Sequence, residues 1–147
     1  GGFGSGLAGQ IAKEFPKVRQ EYLKKYKEGT ELYKPYGWML GDIQPVDIKV
    51  PNEWLYDDKG TPTNIEYTTK YIINCATQKE YGPVGAQYVD YNAVKDCMYA
   101  VKNFAKDKLM SVAIPRIGSG LGGGDWQTIE DIILEVFEHE NICIYVL

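Results

Sequence analysis

A single histidine, His139, is all the imidazole this 147-residue chain possesses, and it stands between Glu138 and Glu140 near the chain end. That scarcity leaves a histidine-rich metal site or a Ser-His-Asp arrangement almost nothing to work with. His139 itself reads as a helix-end surface residue, with ligand or base as the weaker alternative. Cysteine is scarce as well. Cys75, Cys97 and Cys143 are odd in number and lack metal-site spacing. They read as reduced, packed thiols, so the expectation is a cytoplasmic (intracellular) protein. No apolar run reaches the length of a membrane span, and no segment has the layout of a signal peptide. Positive charge is in short supply too: 16 Lys and Arg face 20 Asp and Glu, for a net charge of -4. An acidic chain argues against a broad surface for a nucleic-acid backbone. The local cluster "KKYK" at Lys24 to Lys27 reads as a solvated helix face. No metal, no cofactor and no membrane partner are expected.

What is present is an ordinary globular composition, 44% hydrophobic and 24% charged. The length suits one domain, residues 1–147, with a genuine core. Tyrosine is abundant, with 12 residues, which leaves room for ring stacking on a ligand beside the usual core and surface roles.

Leu7, Ile11, Phe15, Val18, Tyr22 and Tyr26 follow helical steps of three and four. Pro16 predicts a kink or restart within that helix, and Gly29 is expected to close it. "GWMLGDIQPVDIKV" reads as extended, with Pro45 placing its later part at an edge or bulge. Pro51 to Asn64 reads as a loop by its turn residues. "YIIN" from Tyr71 is a short buried strand. Asp90 is placed to cap a helix with Val94, Cys97, Val101, Phe104 and Ala105 inward. "LMSVAIPRI" is a further strand, and Asp125 caps a helix with Ile129, Ile132, Ile133, Val136 and Phe137 inward. "ICIYVL" ends the chain as a strand. Helices alternating with short apolar strands predict a layered α/β domain.

Two glycine-rich hexapeptides open helices: "GSGLAG" at Gly4 to Gly9 and "GSGLGG" at Gly118 to Gly123. Both fit G-x-G-x-x-G, a weak signal by itself. The first has no strand before it, and the chain ends too soon after the second for the acidic ribose contact of a dinucleotide fold. Neither ends in the Lys-Ser/Thr of a phosphate-hydrolysing P-loop. The chemistry still favours phosphate, because glycines expose consecutive N–H groups and a helix N-terminus adds positive potential. Each mouth could instead be a tight strand-to-helix turn. Two on one sheet could clamp one diphosphate from both sides.

"IPRIGSGLGGGDW" (Ile114 to Trp126) closely resembles the phosphate loop of macro domains, the ADP-ribose-binding modules. "GGFGSGLAGQIAKEFP" resembles their other ligand loop, and "YIINCATQKEYG" with "YVDYNAVKDCM" resembles the intervening strand, loop and helix. The resemblance covers essentially the whole chain. Its nearest branch holds ADP-ribose 1''-phosphate phosphatases, terminal ADP-ribose glycohydrolases and DNA-ADP-ribosyl antitoxins. It implies a three-layer α/β/α fold with a central mixed sheet. The family's first strands, and the adenine-recognising acid near them, are expected to precede Gly1 and to be lacking here; "GDIQ" at Gly41 then belongs to a later strand. It further implies that Gly118, Ser119, Gly120, Leu121, Gly122 and Gly123 wrap the diphosphate beside Ile117. Gly2, Gly4, Ser5, Gly6, Leu7 and Ala8 would face the diphosphate and distal ribose, with Gln78 and Tyr81 on the cleft wall.

In that branch, glycosidic hydrolysis can use a lysine at the position held here by Gln78, or an aspartate at the position held by Gly122. Glutamine forms no covalent adduct with the ribose carbon and is no base. Lys79, one step on, would point the other way in an extended segment. Removal of a phosphate monoester needs a held water and a base in reach; the candidates are Asp90, Asp125 and Lys79, the two aspartates being helix caps on the alternative reading. Three readings follow: a hydrolase acting on ADP-ribose 1''-phosphate; a non-catalytic reader of ADP-ribose or ADP-ribosylated macromolecules; and an interaction fragment whose mouths are only turns. Release of ADP-ribose from macromolecules, a glycohydrolase activity, is the variant of the first that Gln78 and Gly122 disfavour.

Overall fold

The protein is described by a computed structural model covering residues 6–31, 37–52, 55–63, 66–80, 82–83, 85–138 and 144–146. Pro16 divides the first helical segment: α1 spans Gly6–Glu14 and α2 spans Pro16–Glu31. A residue without an N–H and with φ fixed near -65° suits the first position of a helix and no interior one. The apolar face continues across the break, from Ile11 and Phe15 to Val18, which is fully buried against Val46 and Ile48. Gly29 does not close the helix, which runs on to Glu31. An interior glycine weakens a helix by about 1 kcal/mol without forbidding it.

The strands follow in order: β1 (Ile43–Pro51), β2 (Leu55–Tyr56), β3 (Pro62–Thr63) and β4 (Tyr67–Cys75). β1 and β4 pair antiparallel, with Ile43 opposite Cys75 and Pro51 opposite Tyr67. The period of two divides their side chains between two faces. Val46, Ile48 and Ile72 meet the α1–α2 layer, while Ile43, Ile73 and Cys75 pack on the opposite core. Among the described residues β1 has β4 as its sole paired neighbour, the edge position that Pro45 requires.

The segment expected to be a loop, Pro51 to Asn64, contains the β2–β3 hairpin. Its turn is built by Asp57, whose carboxylate accepts from the N–H groups of Lys59 (2.9 Å) and Thr61 (2.8 Å). The lysine cluster also differs from expectation. Lys24 is exposed beside Glu28, but Lys25 is half-buried, 3.3 Å from the Asp42 carboxylate and 4.0 Å above the Trp38 ring. It ties α2 to the entrance of β1.

The second half forms the larger core. α3 (Tyr91–Lys108) buries Val94, Cys97, Val101 and Ala105 as expected, with Ala93 and Met98 added and Phe104 half-buried. α4 (Trp126–Phe137) buries Ile129, Ile133, Val136 and Phe137, with Ile132 packed alongside. β5 (Val112–Ile114) and β6 (Ile144–Val146) pair parallel, so β5–α4–β6 is a crossover unit. Helices on both faces of antiparallel and parallel strand pairs give the three-layer α/β/α architecture. No helix among the described residues is long and apolar enough to cross a membrane.

α3 ends on Leu109, a leucine in the left-handed region (φ 53, ψ 46) whose side chain is 95% exposed. A left-handed residue with a Cβ costs roughly 1–2 kcal/mol, and a glycine gives back about 0.5–1 kcal/mol of that through the unfolded chain. Leu109→Gly is therefore expected to stabilise the protein by about 0.5–1 kcal/mol, read as a raised urea midpoint at constant slope.

Candidate functional site in the β5–α4 loop

The loop leaving β5 is fixed by its own backbone. The Ile117 N–H donates to Pro115 O at 2.6 Å, and Gly118 and Gly123 take positive φ values of 72° and 65°. Gly124 N–H donates to Gly118 O (2.9 Å) and Gly123 N–H to Gly120 O (3.0 Å). The N–H groups of Tyr88 and Val89 both donate to Gly122 O, at 2.8 and 3.0 Å, which clamps the loop to the segment entering α3.

Close packing explains most of the glycines. A Cβ at Gly118 would lie 2.9 Å from Val89 and 3.0 Å from Ile129, and one at Gly122 would lie 2.6 Å from Gly118 O. At Gly123 it would collide with Ala86 O, and at Gly124 with Val89. Gly120 is different. A Cβ there would meet nothing within 4 Å, and its φ is not positive. Among the described residues the fold gives no reason for glycine at that position. Among the described residues, the N–H groups from Gly118 to Gly122 donate to no protein acceptor. A held run of unpaired donors followed by a helix N-terminus is a concavity for an anion. Arg116 adds a cation at its edge, 5.6 Å over the Trp126 ring, and its carbonyl accepts from Ser119 Oγ at 3.3 Å.

Other expected residues gather here by way of β4. Gln78 Oε1 lies 3.0 Å from where a Gly122 Cβ would stand, so the two positions join one wall. Its Nε2 donates to Glu80 O (3.0 Å), and Gln78 bridges to Val89. Lys79 is exposed beside it. Asp90 is the N-cap of α3, its carboxylate accepting from Ala93 N–H at 3.0 Å. Asp125 is the N-cap of α4, accepting from the N–H and hydroxyl of Thr128 at 2.8 and 2.7 Å. The Thr128 hydroxyl first, then backbone N–H groups, hold the Asp125 carboxyl below its ordinary range. An acid so stabilised in its charged form is a weak general base near neutral pH.

Replacing Asp90 separates a cap from a base. Asp90→Ala should cost about 1 kcal/mol of stability, whereas Asp90→Asn keeps the cap and should cost little. Denaturant unfolding reads both. Loss of turnover in a fully stable Asp90→Asn protein would assign the carboxylate to chemistry as well.

Sequence reasoning missed Tyr91, whose hydroxyl accepts the Asp125 N–H at 3.0 Å and so couples the starts of α3 and α4. The partners are 34 positions apart, and no local pattern signals such a bond. The first glycine mouth is seen only in part. Gly6, with φ 56° and open space around it, begins α1, followed by exposed Leu7 and half-buried Ala8. Gly2, Gly4, Ser5 and Tyr81 lie outside the described residues, as do His139 and Cys143. Among the described residues no hydrogen bond joins α1 to the β5–α4 loop.

No family model matches the chain. It is 32% identical over 133 residues to an uncharacterised 17.5 kDa protein of Enterobacteria phage T4, covering 88% of this chain and 69% of that protein. It is 25% identical over 147 residues to an ADP-ribose 1''-phosphate phosphatase of Candida albicans, covering 100% of this chain and 81% of the other. Identity to a DNA ADP-ribosyl glycohydrolase of Mycobacterium tuberculosis is 26% over 139 residues, 94% of this chain but 32% of that one. Among solved structures, the macrodomain of Mycobacterium tuberculosis DarG superposes with a TM-score of 0.70 at 20% identity, over 99% of this chain and 80% of that chain. Thermosipho africanus DarTG, solved in complex with ADP-ribose, gives 0.68 at 16% identity, over 99% and 34%. Its layered architecture and its superposition on these structures show that the chain has the macrodomain fold.

Proposed function

We propose that this protein binds ADP-ribose or a derivative of it, with the diphosphate seated on Gly118 to Gly123, and that it hydrolyses the phosphate of ADP-ribose 1''-phosphate. The observation that carries the binding is Gly120, a glycine without a folding reason among the described residues, at the centre of N–H groups that find no acceptor among them. Those donors match the several acceptor oxygens of a diphosphate, and each hydrogen bond to a charged group contributes about 1.5–3 kcal/mol. Gly6, Leu7 and Ala8 form the second wall of the cleft in this reading; Gly2, Gly4, Ser5 and Tyr81, expected from the sequence to join it, lie outside the described residues. The phosphatase step is supported by the likeness to the Candida albicans enzyme. Asp90, Asp125 and Lys79 are the residues available to orient water or neutralise the leaving phosphate.

A second reading is favoured by a specific observation. Asp90 and Asp125 are both engaged as helix caps, and Gln78 fills the position of the lysine implied by the family resemblance. A protein with that site would read ADP-ribose, free or on a macromolecule, without hydrolysing it. Titration with ADP-ribose tests the binding common to both readings, and phosphate release separates them.

A further inference from the structure

Cys75 is the last residue of β4, three positions before Gln78, and Cys97 lies on the inner face of α3. Both pack into one core, Cys75 half-buried and Cys97 fully buried. Their surroundings bring the two sulfurs to one place. Cys97 Sγ is 3.4 Å from the carbonyl oxygen of Asp42 at the entrance of β1. The N–H of Ala76, the residue after Cys75, donates to that same carbonyl at 2.9 Å. Cys75 Sγ lies 3.9 Å from the carbonyl oxygen of Ile73, and each thiol is the largest influence on the other, Cys97 pushing the Cys75 thiol up and Cys75 drawing the Cys97 thiol down. Neither belongs to the glycine loop, and neither has been given a role above.

We infer that Cys75 and Cys97 form an oxidisable dithiol at the exit of β4, a modification site that a peroxide converts into an intramolecular disulfide. Cys75 is the entry, because it is half-buried whereas Cys97 is fully buried. Its sulfur attacks one peroxide oxygen, an S–O bond forms, the O–O bond breaks, and the departing hydroxide leaves as water with the Cys75 proton. The Cys97 sulfur then attacks that of Cys75. An S–S bond forms, the S–O bond breaks, and the second hydroxide leaves as water with the Cys97 proton. Two thiols are oxidised by two electrons and one peroxide is reduced to two waters. The new bond, about 2.05 Å long, demands closer approach than van der Waals contact between thiols. It pins α3 to the strand end that carries Thr77 and Gln78, so the modification bears on the wall of the candidate site.

The experiment uses the folded Cys143→Ser chain, which removes the third thiol. It is treated with hydrogen peroxide, then denatured, alkylated and weighed intact. The expected product has lost two hydrogens, takes up no alkylating agent, yields a Cys75–Cys97 linked peptide and regains both thiols with dithiothreitol. Adding Cys97→Ser should replace that product with one carrying oxygen on Cys75. A parallel Cys75→Ser chain, with Cys97 shut in the core, should keep its thiol. Two alkylatable thiols after peroxide, or oxygen addition in place of the cross-link while Cys97 is present, would overturn the inference.

Discussion

Gly120→Val is expected to lower ADP-ribose affinity by at least a factor of about 100, with the unfolding midpoint held within about 2 °C of the parent. A valine Cβ at this position has free space around it, so the loop need not move. The branched side chain would project over the adjacent N–H groups and keep a diphosphate from two of them. A single hydrogen bond to a charged oxygen contributes about 1.5–3 kcal/mol, so two such losses exceed a hundredfold change. The control is Gly123→Val, where a side chain collides with Ala86 O in a left-handed backbone. That variant should be destabilised severely and lose binding with its fold. Normal binding by a folded Gly120→Val protein would remove the diphosphate from this loop.

The second large effect concerns which bond is broken. Free phosphate is expected from ADP-ribose 1''-phosphate, while release of ADP-ribose from an ADP-ribosylated protein or DNA should remain near background. Cleavage of a ribosyl bond in the family's manner requires a nucleophile or base, and Gln78 supplies neither. A carboxylate cannot be restored at position 122 without moving the loop, because any Cβ there lies 2.6 Å from Gly118 O. Loss of a positioned acid or base lowers a rate by roughly 10²–10⁴. Phosphate removal draws instead on oriented N–H groups that stabilise charge on the phosphoryl oxygens and hold a water. Rapid release of ADP-ribose that disappears in Lys79→Ala would make the exposed neighbour of Gln78 the catalyst and reverse this expectation.

Some of this architecture could be read directly from residues. Pro16 announced the break between α1 and α2, because its chemistry forbids the alternative wherever it occurs in a helix. The inward faces of α3 and α4 followed from spacing, and Asp90 and Asp125 were recognisable as caps because a cap is a local interaction over three residues. Features built by distant partners were not visible. Lys25 reads as one of a solvated cluster until the Trp38 ring and Asp42 stand beside it. The β2–β3 hairpin escaped notice because its strands are two residues long and its turn depends on one carboxylate, that of Asp57. The glycine loop was legible as a loop but not in its division of labour. Sequence alone treats its glycines alike, whereas Val89, Ala86 and Gly118 O, brought in by folding, account for four of them and leave Gly120 over.

The central claim is that the β5–α4 loop of this chain receives the diphosphate of ADP-ribose. It is tested most directly by calorimetric titration of the parent protein with ADP-ribose and, separately, with ADP. Saturable binding of one ADP-ribose per chain is expected, with ADP weaker because it lacks the distal ribose that the α1 wall would meet. Absence of saturable binding by a folded protein, seen both in the heats and in an unchanged unfolding midpoint at high ADP-ribose, would contradict it.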